Sequence, residues 1–210
     1  MNNIDVNNHP QATIKRNRFY GVLIIIAIAL PMVLAYVMFH TGWGVSLNTT
    51  NKGQLINPPL PIKDISLDGN SSAISDLYGD KESAKKWRLL VPVTANCSQA
   101  CQNNLYVSRQ VHIRLAEKAY RVERIILGLE TLPLTFTDSL EKDHPNTRRA
   151  QTTLPAFSQW LTSAGFSDQA ENYYYLVDQE GFAMMRYSTE NTGQDLLDDL
   201  KKLLKFTYDK

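Results

Sequence analysis

The chain has 210 residues, with 22 lysines and arginines against 21 aspartates and glutamates, a net charge of +1. That length holds one ordinary domain plus an appendage, and a balanced charge without a basic stripe argues against a nucleic-acid reader. Two cysteines are too few for a disulfide-stapled scaffold, and a domain of this size buries enough apolar surface without one.

Residues 1–18 form a polar tail ending in Lys15, Arg16 and Arg18, expected to be cytoplasmic. From Phe19 to Phe39 the sequence runs FYGVLIIIAIALPMVLAYVMF without a charge. About twenty helical residues rise ~30 Å, the thickness of a bilayer's hydrocarbon core, so 19–39 is expected to be a transmembrane helix in contact with lipid. Phe19 and Tyr20 at one end, and Tyr36, Phe39 and Trp43 at the other, suit the two water–lipid interfaces. Pro31 is tolerated inside such a helix. Only Lys52 follows within the next twenty residues, so the N-terminus is predicted inside and the rest of the chain outside. A cleavable signal peptide would carry a shorter apolar stretch and a small-x-small cleavage site, which AYVMFHTGW does not offer.

Residues 40–62 read as an extended linker. Gly42, Gly44, a polar run from Asn48 to Gly53 and Pro58-Pro59-Leu60-Pro61 favour an open, semi-rigid segment. The domain is then expected over 63–210. Ile65-Ser66-Leu67 before Asp68-Gly69 reads as a short strand and turn. Trp87 to Val93 reads as a buried strand, with Pro92 near its end lacking a ladder donor. A helix is predicted over 102–120, because Leu105, Ser108, Val111, Leu115 and Ala119 recur on one face. The β-branched run VERIILGL over 122–129 is a second central strand. Residues 154–164 form a short helix carrying Phe157, Trp160 and Leu161, and 173–178 a third strand. After the turn Gln179-Glu180-Gly181, Phe182 to Tyr187 gives a fourth. The chain closes on a helix in which Leu196, Leu197, Leu200, Leu203 and Leu204 make one apolar stripe. Its aspartates come early and its lysines late, as the helix dipole favours. This is an α/β element order, the thioredoxin-like one.

Cys97 and Cys101, in TANCSQACQNN, fall where the 87–93 strand gives way to the following helix. Four residues apart on a helix, they would be neighbours on one face. Unpaired N–H groups and positive potential at a helix N-terminus stabilise a thiolate. Two buried apolar fillers would be the plain structural alternative. As a functional pair they would cycle between dithiol and disulfide, or offer two sulfurs to a soft ion such as Cu(I).

With these pieces in place, the chain resembles the Sco/SenC family of membrane-anchored, thioredoxin-like proteins. The resemblance rests on the span Phe19–Phe39, on Cys97 and Cys101 at the strand–helix junction, and on Tyr175-Leu176-Val177-Asp178-Gln179-Glu180-Gly181. More closely it is similar to small membrane proteins encoded with bacterial cytochrome c oxidase subunits, through TGWG and NKGQLINPP, CSQACQNNLYVSRQV, YLVDQEGFAMMRY and DLKKLLK. Membership implies an anchor in the bacterial inner membrane and a periplasmic domain. It also implies a role in oxidase assembly, through Cu(I) handling or thiol chemistry. The implied partner is an oxidase subunit or a copper or thiol assembly factor.

The departures from that family are specific. Its copper-ligating histidine precedes the Tyr-Leu-x-Asp strand, where this chain reads Gln169-Ala170-Glu171-Asn172-Tyr173. The proline after the second cysteine is replaced by Gln102, and the cis-proline of thioredoxin-type oxidoreductases is absent from 170–173. His144, in the polar loop EKDHPNTRR, is the one histidine to consider as a third metal ligand, although an exposed loop histidine is the simpler expectation. His112 lies too far along its helix, and His9 and His40 belong to the anchor region. Met184 and Met185 are soft donors by type, with at least one expected in the core. Tyr173 to Tyr175 reads as a half-buried strand rather than a cofactor box. Three readings follow: a Cu(I)-handling assembly factor, a non-catalytic docking module of the oxidase assembly machinery, and a thiol–disulfide oxidoreductase.

Overall fold

The computed structural model describes residues 11–41, 50–66, 86–167 and 170–206. It divides into two units, Met1–Thr49 and Thr50–Lys210. The first contains helix α1, Gln11–Thr41, which continues without a break through Pro31. Within it Arg18–Thr41 is long and apolar enough to cross a membrane. Most of its large apolar side chains, Ile24, Ile25, Ile28, Met32 and Phe39 among them, are exposed. A helix that finds no protein to bury such a surface needs an apolar solvent around it.

The second unit is built on a six-stranded sheet in the order β1-β6-β5-β2-β3-β4. Its centre is β2, Trp87–Val93, in which every residue is buried. A strand covered on both faces needs a continuous apolar run, and WRLLVPV supplies it. β2 pairs in parallel with β3, Val122–Gly128, and in antiparallel fashion with β5, Tyr174–Val177. β6, Phe182–Tyr187, follows β5 through a turn in which the Asp178 carboxylate accepts the N–H groups of Glu180 and Phe182, and Gly181 takes a positive φ of 91°. The aspartate and glycine of the Tyr-Leu-x-Asp-x-x-Gly sequence thus build a hairpin.

Alternation along β2 sends Leu89, Val91 and Val93 to one face and Leu90 to the other. The first face is covered by α2, Gln99–Arg114, and α5, Gly193–Phe206, whose Leu196, Leu197, Leu200 and Leu204 all enter the core. Met185 lies in this core, and Met184 packs against it. The second face is covered by α4, Leu154–Thr162, through Phe157, Trp160 and Leu161. Each such leucine or phenylalanine contributes about 1.5–3 kcal/mol by leaving water.

Three segments differ from the sequence expectations. Gln54–Pro61, expected to belong to a free linker, forms β1 and pairs antiparallel with β6. Its prolines lack ladder donors, yet an edge strand needs donors on one side only, and Ile56 and Leu60 are buried beneath it. The second unit accordingly begins at Thr50, not at Lys63. The short strand expected at Ile65 is replaced by a three-residue 3-10 turn, Ile62–Asp64, followed by buried Ile65. Leu67 and the Asp68-Gly69 turn lie outside the described residues. Finally, the polar stretch after Leu132 holds α3, Leu134–Asp143, and the edge strand β4, Arg148–Gln151, parallel to β3.

β1 is fastened at its start by one side chain. Buried Asp199 on α5 accepts the N–H of Lys52 at 2.8 Å, the N–H of Gly53 at 3.0 Å and the Tyr187 hydroxyl at 3.0 Å. Gly53 must be glycine here, because a Cβ would sit 2.5 Å from the Tyr187 ring.

Candidate functional site

The loop from Thr94 to Ser98 leaves the carboxyl end of β2 and delivers the chain to α2. The Cys97 N–H bonds to the Thr94 carbonyl at 3.1 Å, which folds the loop back as a turn. Ser98 caps α2, its hydroxyl accepting the Cys101 N–H at 3.3 Å. Cys97 therefore precedes the helix and Cys101 is its third residue. The two are not brought together by helical spacing, as the sequence suggested, but by the turn that enters the helix. Their Cα atoms are 5.3 Å apart and a disulfide joins them, within the range such a bond demands. Cys101 is sealed, at 0% exposure, whereas Cys97 retains 8%. Both belong to the buried core, and Cys97 is the less deeply covered of the two.

Two glutamates that the sequence reading did not single out hold this loop. Glu130, just beyond β3, accepts the Ala95 N–H at 2.7 Å. Glu171 accepts the Thr94 hydroxyl at 2.5 Å, while its own carbonyl accepts from the buried Asn104 of α2. Glu171 stands in the 3-10 turn Ala170–Asn172 just before β5, where the family resemblance implied a histidine or a proline. A signal was present in that a charged residue is held at this site, but nothing local in LGLET or QAENY announces a contact with a loop 35 or 77 residues away.

Beside the loop opens a cavity of about 460 Å³, bounded by Thr94 and Asn96 of the cysteine loop, both glutamates, and Leu129 and Leu154. It falls in the size range of small-ligand pockets.

His144 is neither exposed nor near the sulfurs. It ends α3 with only 9% exposure. Its Nδ1 accepts a hydrogen bond from the buried Arg124 guanidinium at 3.2 Å, and the same Arg124 nitrogen donates to Ser108 Oγ and the Leu105 carbonyl. Ser108 lies seven residues past Cys101, about 10 Å along the helix axis. Burial first, and then the charges of Arg124 and Arg109, lower the His144 pKa to about 4. Because arginine only donates, the ring proton is confined to Nε2, and a metal has no free lone pair to take. His112 lies eleven residues past Cys101 on α2, its Nε2–H donating to the Val122 carbonyl at 2.8 Å. Among the described residues, no three histidine, cysteine or acidic side chains come together as a metal site. The two-cysteine, one-histidine copper set implied by the resemblance is thus not assembled by His144. Tyr173 instead stacks on the guanidinium of Arg186, 4.3 Å away, with Phe166 on the same cation at 3.9 Å.

A family model described as the transmembrane-like, thioredoxin-like C-terminal domain matches residues 87–207, more than half of the chain. The chain belongs to this family. As a transmembrane-like thioredoxin-like protein it is similar in structure to yeast Sco1 with copper bound, at 15% identity and a TM-score of 0.50, over 64% of this chain and 84% of Sco1. It is also similar to ScoI of Bradyrhizobium japonicum with copper bound, at 19% identity and a TM-score of 0.44, over 61% and 87%. A third similar structure is a thiol:disulfide interchange protein from Bacteroides sp., at 19% identity and a TM-score of 0.47, over 75% and 92%. No curated protein matches the chain. The thioredoxin-like α/β fold is borne out, and it is the fold that the chain shares with Sco1.

Proposed function

We propose that this chain is a membrane-anchored factor for cytochrome c oxidase assembly, standing on the periplasmic side of a bacterial inner membrane and working through Cys97 and Cys101 as a dithiol–disulfide couple. One observation carries the chemistry. The only two cysteines of the chain meet in a disulfide where β2 hands over to α2, both buried but Cys97, at 8% exposure, less completely than Cys101. Support for the oxidase as the setting comes from the sequence pieces TGWG, NKGQLINPP and CSQACQNNLYVSRQV, and support for the membrane from α1.

A partner thiolate attacks Cys97 Sγ. A new sulfur–sulfur bond joins the chains, the Cys97–Cys101 bond breaks, and its electron pair leaves on Cys101, where the helix N-terminus favours a thiolate. A second partner thiolate then attacks the partner's own sulfur in the mixed disulfide and displaces Cys97. Two electrons have passed to the chain, leaving the partner's pair oxidised. The same steps in reverse reduce a partner disulfide.

The test equilibrates the full-length protein in detergent with glutathione buffers and traps free thiols by alkylation. A reduction potential within the span of known exchange proteins, about −120 to −270 mV, is expected. A disulfide that never equilibrates with small thiols overturns the proposal. A second reading, Cu(I) handling, draws on the likeness to copper-bound Sco1. It uses the two sulfurs of the reduced pair and takes any further ligand from the partner. One Cu(I) bound per reduced chain, lost in Cys97→Ser, is its signature. If cells carrying Cys97→Ser with Cys101→Ser assemble oxidase normally while deletion strains do not, the domain is a docking module instead.

A further inference from the structure

The cavity beside the cysteine loop has a charge character that the exchange chemistry does not require. Among the described residues, both ionisable groups on its wall are carboxylates, Glu130 and Glu171, and no lysine, arginine or histidine lines it. Each carboxylate uses one oxygen on the loop, at the Ala95 N–H and the Thr94 hydroxyl. The second oxygen of each has no hydrogen-bond partner among the described residues. The wall also includes Leu129, fully buried, and Leu154, 47% exposed. An aliphatic stem with a cationic head matches this combination, since lysine and arginine lay their methylenes along apolar surface and keep the charge at a polar rim.

Distance along the chain ties this cavity to the sulfur. Glu130 grips Ala95, two residues before Cys97, and two residues span at most about 7 Å. A cation held by these glutamates therefore sits beside the loop that carries Cys97, within the reach of a few residues of an extended partner segment. We infer that the cavity selects partners: it receives a lysine or arginine side chain flanking the partner's reactive cysteine, held by Glu130 and Glu171 while that cysteine meets Cys97. This deepens the dithiol–disulfide reading and rests on it. It adds a requirement on the partner polypeptide, a basic residue next to the thiol.

The test uses three synthetic peptides, each with one cysteine flanked by arginine, by glutamine or by glutamate. The rate at which each opens the Cys97–Cys101 disulfide is measured on the full-length protein in neutral detergent, for the wild type and for the double variant Glu130→Gln with Glu171→Gln. Scoring the ratio of the arginine to the glutamine peptide cancels the amount of folded protein. Comparing that ratio between proteins cancels the peptides' own thiol reactivity. The wild-type ratio should exceed that of the double variant by about tenfold at low salt, with the glutamate peptide slowest, and should shrink as salt screens the charges. A ratio equal in the two proteins, or insensitive to salt, overturns the charge selection while leaving the exchange chemistry standing. If no peptide opens the disulfide at any salt, the exchange reading itself falls, and this inference with it.

Discussion

A histidine that faces a guanidinium resists protonation, and His144 does so within the fold. Unfolded, it titrates at its ordinary value of 6.5, whereas folded its pKa is lowered to about 4. Between those values the unfolded chain binds a proton that the native chain refuses. Stability therefore falls as pH drops from about 6.5 towards 4, and levels off below that. Thermal melts of the full-length protein should show this decline, and His144→Gln, which keeps an acceptor for Arg124, should flatten it. Asp199 is the second residue with a measurable consequence. Asp199→Ala strips a partner from the Lys52 and Gly53 amides and the Tyr187 hydroxyl at once. A loss on the order of 3 kcal/mol is expected in denaturant unfolding; a loss below about 1 kcal/mol would mean that water satisfies those donors. Neither role was legible from the chain. A histidine in EKDHPNTRR reads as solvated because its partner, Arg124, is a charged residue on a strand that otherwise reads as apolar. The meeting of Cys97 and Cys101 at the strand–helix boundary was legible because residue type and the adjacent boundary are both local.

At the level of elements, the strands and helices of the core follow from periodicity. WRLLVPV, VERIILG and the leucine stripe of α5 each bury one face or two, so their pattern is set by the element itself. β1 is different. Proline and asparagine in QLINPPLP suppress every local strand signal, and what makes the segment a strand is its partner β6 together with the burial of Ile56 and Leu60. β4, with the sequence RRAQ, was hidden for the same reason, since three of its four residues are not buried. Edge strands depend on a neighbour, and a neighbour distant in sequence leaves no periodic trace. The proline-rich edge also has a use. Pro58, Pro59 and Pro61 present no N–H to solvent, so the side of the sheet that carries β1 offers little template for another chain.

For the whole molecule, anchor and domain were separable in sequence because a bilayer and a packed core impose different patterns. The span needs about twenty apolar residues without a period, whereas the domain needs alternation and stripes. The boundary between them was misread by about a dozen residues, because the tether becomes β1 only through contacts made at the far end of the chain. Orientation is a prediction of charge, with Lys15, Arg16 and Arg18 ahead of the span. Added to intact spheroplasts, a protease should degrade the domain while leaving a short, membrane-embedded N-terminal fragment. Full protection until the membrane is lysed would reverse the topology.

The unequal burial of the two cysteines makes the protein a tool for finding its own client. Chemistry that begins at an outer atom and is released by an inner one stalls when the inner one is removed. In a Cys101→Ser chain, Cys97 would keep whichever protein it had engaged as a covalent adduct, stable to detergent and cleaved by dithiothreitol. Recovered from membranes and cut free, that captive identifies the polypeptide whose thiols this surface was shaped to meet. An adduct that formed just as readily on Cys97→Ser would show that the roles of the two atoms are reversed.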